Sequence, residues 1–160
     1  MPHVRVRPAT VRDIRKIIPL WEELAALHGD LDPALAVGQG AERDYAEFLA
    51  EAVGRPDTCV MLGEADGRLV AFAVGRIQVL PLPFREQRRG WIQDVCTASD
   101  RRRQGIGLRV VEALLAWFDD HDVTLTELTV AVRNPEAIRF WERLGFETYM
   151  YRMKRAVGRR

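Results

Sequence analysis

The sequence predicts a mixed α/β fold, one sheet carrying helices on its faces. Two strand-like runs, Thr58 to Ala65 and Arg68 to Leu80, are joined by Asp66-Gly67, a dipeptide suited to a tight hairpin. Downstream, a third strand-like run, Trp91 to Thr97, leads into an amphipathic stretch, Gly105 to Phe118. A further strand and helix then repeat that alternation. The resulting order, β, α, α, β, β, β, α, β, α, β, is neither doubly wound nor all-antiparallel.

Each element has a local cause. Val4-Arg5-Val6-Arg7 alternates as a short strand. Thr10 with Asp13 three residues on makes a capping pair, after which Val11, Ile14, Ile17, Ile18, Trp21 and Leu24 recur at helical spacing. Pro19 inside this helix is expected to kink it. A loop from Gly29 to Gly40 precedes a second helix marked by Tyr45, Phe48, Leu49 and Ala52. Pro81-Leu82-Pro83 ends the hairpin and opens a loop to Arg89. Val111, Leu114, Leu115 and Phe118 give the next helix one apolar face. Leu125 to Val132 reads as a strand, Asn134 to Leu144 as a helix and Gly145 to Met153 as a final strand.

Composition excludes several classes. The 160 residues suit one domain, without repeats or a linker rich in Gly, Ser or Pro. No apolar run reaches the length of a membrane span. Met1 to Thr10 is too polar for a secretory leader. Cys59 and Cys96 are too few for a disulfide framework and lack metal-ligand spacing, so a reduced cytoplasmic protein without metal is expected. A disulfide between them is opposed by the strand Arg68 to Leu80, expected to lie in between. Net charge is only +1, and the basic residues are nearly all arginine, lysine occurring at Lys16 and Lys154. That bias fits phosphate recognition by planar guanidinium forks, or simply a GC-rich genome.

The most informative stretch is Asp94-Val95-Cys96-Thr97-Ala98-Ser99-Asp100-Arg101-Arg102-Arg103-Gln104-Gly105-Ile106-Gly107-Leu108. A strand ends, the chain turns through arginines, and a helix begins at two glycines spaced one apart. Backbone N–H groups at a helix start can hold an anion, and glycines let a phosphate approach the backbone without meeting a Cβ. The plainer alternative is that the glycines only permit a tight turn. The pattern is neither a Walker loop nor G-x-G-x-x-G, because Val110 stands at the last position.

Arg102-Arg103-Gln104-Gly105-Ile106-Gly107 resembles the Q/R-x-x-G-x-G/A signature of the GCN5-related N-acetyltransferase superfamily. Asn134-Pro135-Glu136-Ala137-Ile138-Arg139-Phe140-Trp141-Glu142-Arg143-Leu144-Gly145-Phe146 resembles its second signature, and the element order matches from Val4 to Met153. The resemblance implies a mostly antiparallel central sheet of six to seven strands flanked by about four helices. It implies one domain over residues 1–155 followed by a short basic tail, 156–160. It also implies acetyl-CoA as co-substrate, with backbone groups of Val95 and Thr97, Cys96 between them, pairing with the pantetheine arm. Amides from Arg102 to Leu108, through Arg103, Gln104, Gly105, Ile106 and Gly107, would wrap the pyrophosphate. Asn134 and Phe140 would line the arm, Phe140 being equally suited to core packing, and Arg143 would reach a phosphate.

The implied reaction is direct acetyl transfer, in a ternary complex, to a primary amine of a small molecule or protein. An acidic pair common in relatives falls at Gln93-Asp94, where Gln93 cannot act as base and Asp94 is the nearest candidate. Strand alternation sets Asp94 opposite Gln93 unless a bulge intervenes. The tyrosine that commonly protonates the thiolate falls at Trp141, whose indole is no useful acid. These departures keep open a non-catalytic acyl-CoA-binding sensor or accessory protein. His28 ends the first helix near the expected acceptor pocket and suits the helix dipole; His3 and His121 read as surface residues. No His–Cys arrangement supports an acyl-Cys96 route. Asp30, Asp32 and Glu86 stand in or near the acceptor loops, as attractors of a cationic amine or as solvated charge. A nucleic-acid role for Arg88–Arg89 and Arg101–Arg103 lacks interleaved aromatics. Neither nucleic acid nor a membrane is an expected partner, and a homodimer stays open.

Overall fold

The computed structural model describes residues 4–85 and 87–155. Glu86, His3 and the expected tail 156–160 lie outside the described residues. The chain divides into two compact units, Met1–Thr129 and Val130–Arg160.

The first unit is built on a five-stranded sheet of order β1-β2-β3-β4-β5. Its elements run β1 (Val4–Pro8), α1 (Ile14–Leu31), α2 (Ala41–Ala52), β2 (Thr58–Ala65), β3 (Arg68–Val79), β4 (Arg88–Thr97), α3 (Ile106–Asp119) and β5 (Leu125–Leu128). The first four strands pair antiparallel, and β4 pairs parallel with β5. The mixed class is therefore as expected. The hairpin turn is as well, since Asp66 and Gly67 both take positive φ (53° and 72°), the I′ geometry that matches strand twist.

Several boundaries differ from those the sequence predicts. The helix α1 runs through Gly29 to Leu31 because the Asp32 N–H still bonds the His28 carbonyl, and it continues past Pro19. β4 begins at Arg88, because the β3 ladder carries pairing out to Val79 opposite Arg88. β5 stops at Leu128, and Val132 is exposed.

The final strand over Gly145–Met153 is not formed, so the sheet has five strands rather than six or seven among the described residues. Its alternation is real, but a strand requires a neighbour to take up its N–H and C=O groups. This segment enters no ladder among the described residues, and Tyr149, Met150, Tyr151 and Met153 stay exposed.

The sheet separates two helical layers. A Cβ on Gly75 would stand 2.7 Å from Leu114 and 2.8 Å from Phe118, so that face of β3 looks at α3. Val74, its neighbour, faces the other way, toward α1 and α2. Phe72, Val74, Leu49 and Ile17 on one side and Val110, Val111, Leu114 and Phe118 on the other are essentially fully buried. Arg7 grips Asp13 by two hydrogen bonds of 2.8 Å and also holds Glu64, tying β1 to β2 and to the start of α1. The Asp13 carboxylate also accepts the Thr10 N–H and hydroxyl, each at 2.9 Å, anchoring the expected cap.

The second unit contains α4 (Pro135–Arg143). Asn134 caps it, its side-chain oxygen accepting the Ala137 N–H at 3.1 Å, and Pro135 opens the first turn. Gly145 (φ 86°) ends it: its N–H bonds the Glu142 carbonyl, and the Phe146 N–H bonds that of Trp141. That pair of bonds is a Schellman motif. No helix among the described residues is long and apolar enough to cross a membrane.

Candidate active site

The site begins with a register shift in β4. Val74 pairs with Asp94, yet the next residue, Gly75, pairs with Ile92, leaving Gln93 as the extra residue of a β-bulge. Ile92 shares the α3-facing side of Gly75. Without the bulge Asp94 would share it too, since residues two apart face one way. The extra residue instead turns Asp94 to the α1–α2 side and leaves Gln93 exposed.

On that side Asp94 meets a built environment. The Tyr45 hydroxyl, from α2, donates to Asp94 Oδ2 at 2.9 Å. Trp21, from α1, stacks on the Tyr45 ring with centroids 4.4 Å apart and planes 12° from parallel. Burial pushes the Asp94 carboxyl above its ordinary value, while the Tyr45 hydrogen bond, His28 and Gln93 pull it back down. Burial, with the Asp94 charge second, raises the Tyr45 hydroxyl far enough that it stays protonated. Tyr45 is thus a fixed donor.

Neither Tyr45 nor Trp21 stands out in the sequence except as an apolar helix position. The available signal is a tyrosine on the buried face of a helix, whose hydroxyl must find a partner. His28, expected near the acceptor pocket and as a dipole partner, also reaches Asp94 electrostatically.

The ladder between β4 and β5 covers Arg89 to Ile92 only. From Asp94 to Thr97 β4 keeps β3 as its ladder partner, and the backbone of Val95, Cys96 and Thr97 has no ladder partner on its other edge among the described residues. Cys96 is buried on the Asp94 side, and burial pushes its thiol up to about 12, with Glu23 and Asp94 adding to the rise. A thiol so held is a poor nucleophile. Cys59 lies in β2 with β3 between, and both cysteines are free, as expected.

Beyond Thr97 the chain makes a short 3-10 turn, Ser99–Arg101, and enters α3 through Arg103 and Gly105, both at positive φ (59° and 77°). The Ser99 N–H is held by Glu23 at 3.0 Å. The arginines divide the work. Arg101 pairs with Asp66 at 2.7 Å, and Arg102 Nε donates to the Thr97 carbonyl at 3.2 Å. Arg103, Gln104 and Gly105 are exposed beside the helix start. Ile106, Gly107 and Leu108 form the first turn, whose N–H groups have no intrahelical acceptor. The cradle suits a pyrophosphate, with amides, a positive dipole end, arginine charge and an open approach at Gly105, where an added Cβ meets nothing within 4 Å. Gly107 has another reason to be glycine: a Cβ there would stand 2.8 Å from Thr97 Oγ1.

A cleft of about 530 Å³ lies between α1, the turn Pro33–Leu35 and α2. Trp21 is on its wall with Glu22, Asp30 and Glu42. Asp32 does other work, its side chain accepting the Ala34 N–H at 2.9 Å. Arg88 donates to the His121 carbonyl and Arg89 pairs with Glu127 at 3.0 Å. No group of three or more His, Cys, Asp or Glu side chains among the described residues is arranged to hold a metal ion.

In the second unit, Phe140 is half-buried and meets Trp141 edge-on at 5.0 Å, and Trp141 meets Phe146 edge-on at 5.2 Å. Arg143 is exposed in the last turn of α4, where a cation complements the dipole.

Comparison with known proteins gives the class. The model of the acetyltransferase (GNAT) family matches residues 21–146. The chain belongs to that family, as its two motifs implied. A mycothiol acetyltransferase of Acidimicrobium ferrooxidans is 31% identical over 117 residues, 73% of this chain and 33% of that protein. The chain therefore spans about a third of that relative's length. Among solved structures, a tetramutant of the BH1408 protein from Bacillus halodurans superposes with a TM-score of 0.85 at 24% identity, covering 96% of this chain and 99% of that one. The aminoglycoside N-acetyltransferase AAC(6')-Iy, solved in complex with CoA, follows at a TM-score of 0.75 and 14% identity, with 98% and 97% covered. At these identities the two structures attest the fold.

Proposed function

We propose that this protein transfers the acetyl group of acetyl-CoA to a primary amine of a small molecule or protein, directly, in a ternary complex. The unit of function is the single domain spanning residues 1–155, acting in the cytoplasm with both thiols reduced. The observation that carries this reading is the bulge at Gln93. It turns a carboxylate toward the α1–α2 side on the stretch of β4 that lies past its last β5 partner.

Acetyl-CoA supplies the activated acyl group and a thiolate leaving group. Amides of Ile106, Gly107 and Leu108, with Arg102 and Arg103 adding charge, hold its pyrophosphate. Backbone groups of Val95 and Thr97 take the arm. Asp94 serves as general base: an amine is protonated in neutral water, and a carboxylate whose affinity for protons is raised by burial is better matched to removing that proton. The acidic wall of the cleft, Glu22, Asp30 and Glu42, draws the cationic form of the acceptor toward it.

The test is to incubate the protein with acetyl-CoA and a panel comprising an arylalkylamine, a polyamine, an amino sugar and a lysyl peptide, following release of free thiol. Turnover with one of them, lost in Asp94→Asn, is the expected result. Tight acetyl-CoA binding with silence across the panel identifies instead a non-catalytic acyl-CoA binder, the reading that Gln93 and Trp141 favour.

A further inference from the structure

We propose that Tyr45, clamped by Trp21, is the positioning residue of Asp94, fixing one carboxylate oxygen so that the other is presented to the acceptor amine. The proposal rests on the reading of Asp94 as base and deepens it. Three independent features converge on the pair. The bulge at Gln93 turns Asp94 to this side of the sheet. The hydroxyl of Tyr45 reaches Oδ2 at 2.9 Å, and the residue is only 9% exposed. Trp21 lies flat against one ring face at 4.4 Å, while Phe48 abuts the same ring at 5.5 Å.

A core without a task at this point would favour phenylalanine and an apolar strand residue, because even a half-buried carboxylate loses solvation. Here the cost is retained and answered first by the Tyr45 hydroxyl, set between two aromatic neighbours, with His28 and Gln93 adding less. The Asp94 side chain has two χ angles, and one fixed hydrogen bond removes most of that freedom. Trp21 is also on the wall of the cleft between α1 and α2, so the clamp extends from the cleft to the carboxylate.

The groups that set Asp94's proton affinity are His28 from α1, Tyr45 from α2 and Gln93 from β4; on the same strand, Cys96 interacts with Asp94 and with Glu23 of α1. Tyr45 contributes the largest lowering effect among them. Its loss therefore leaves burial less opposed, and Asp94 holds its proton to higher pH.

The experiment compares wild type, Tyr45→Phe, Trp21→Leu and Asp94→Asn, all full-length. Carbon-13 NMR of the aspartate carboxyls follows Asp94, assigned by its disappearance in Asp94→Asn. Transfer from acetyl-CoA to the fastest amine of the panel gives kcat and kcat/KM against pH. In Tyr45→Phe, Asp94 titrates at higher pH than in wild type, and the acidic limb of the rate profile moves the same way. Its kcat near neutrality falls roughly tenfold, the order expected for a hydrogen bond to a charged group. The KM for acetyl-CoA is unchanged. Trp21→Leu shows a smaller change of the same sign.

An unaltered titration and rate in a folded Tyr45→Phe overturn the positioning role while a damaged Asp94→Asn leaves the base in place. If Tyr45→Phe fails to fold, an unaltered Trp21→Leu overturns the role instead. Full activity in Asp94→Asn overturns the base and the proposal with it.

Discussion

Thr97 Oγ1 occupies the space that a Cβ on Gly107 would need: the two atoms would stand only 2.8 Å apart. The stretch of β4 past its last β5 partner and the helix that offers its amides are locked together at this contact. A side chain at Gly107 would push the two apart.

Gly107→Ala is accordingly expected to destabilise the fold by about 1–2 kcal/mol, the cost of modest overpacking. Thr97→Ala in the same background removes the obstruction. Alanine is a better helix former than glycine by about 1 kcal/mol, so the double variant is expected to return to wild-type stability or exceed it. A double-mutant cycle from denaturant melts reads the coupling directly. Additive effects of the two substitutions would show that the contact does not matter.

Gly105 behaves differently. It has φ 77° and open space around it, so a side chain meets strain but no clash. Gly105→Ala is expected to cost about 1–2 kcal/mol and retain binding of coenzyme A. Gly105→Asp, which also tolerates this backbone region, adds negative charge beside the first turn of α3. Its coenzyme A affinity is expected to fall by at least tenfold while circular dichroism stays native. Wild type at a hundred times its Kd should gain about 2.7 kcal/mol from the ligand, and Gly105→Asp much less at the same concentration. Equal thermal shifts in both would remove the phosphate from this turn.

The turn from β4 into α3 was legible in the sequence because its logic is local: a strand end, arginines and glycines within a dozen residues. The hairpin at Asp66-Gly67 was legible for the same reason. Asp94 and Tyr45 are 49 positions apart, and no local pattern brings them together. Their meeting depends on which strand absorbs one extra residue, a property of the β3–β4 register. Gln93 read alone is a missing acid; in the fold it is the residue that swings Asp94 round. The expected final strand failed for the complementary reason, because alternation describes a segment and says nothing of whether a partner edge exists.

Two carboxylates predict opposite responses to pH. Arg7, with Thr10, holds Asp13 well below the ordinary carboxylate range. The unfolded chain therefore binds this proton more readily than the folded one, and the stabilisation is full above the ordinary range and lost as pH falls through the folded value. Asp13→Ala is expected to cost about 3 kcal/mol near neutrality, because Arg7 then keeps only Glu64 as a carboxylate partner. Asp94 is raised by burial, so the folded protein binds its proton more tightly than the unfolded chain. Its charge costs stability as pH rises above the ordinary range, and Asp94→Asn should melt at or above wild type at pH 8. The advantage should vanish in acid, where both side chains are neutral. Melts at several pH values check both signs; a destabilised Asp94→Asn at pH 8 would mean that the carboxylate is structural.

Trp141 is the residue expected at the position of the family's usual acid, and its surroundings within its own unit describe a packing role. Its carbonyl accepts the Phe146 N–H at 3.1 Å, and its ring meets Phe146 edge-on at 5.2 Å. These are the backbone bond and the apolar contact of a Schellman helix end, with Gly145 supplying the left-handed residue between. A ring of similar size satisfies that arrangement. Trp141→Phe is expected to keep stability within about 1 kcal/mol and to leave turnover largely intact, because indole cannot donate a proton to a thiolate. Trp141→Ala removes the contact and should cost about 3 kcal/mol or less, since the site is only half-buried. Trp141→Tyr raises kcat only if protonation of the departing thiolate limits the rate, and general acid catalysis is worth roughly 10²–10⁴-fold, so even partial restoration is measurable. Loss of turnover in a folded Trp141→Phe that still binds acetyl-CoA would give the indole a direct part in the reaction.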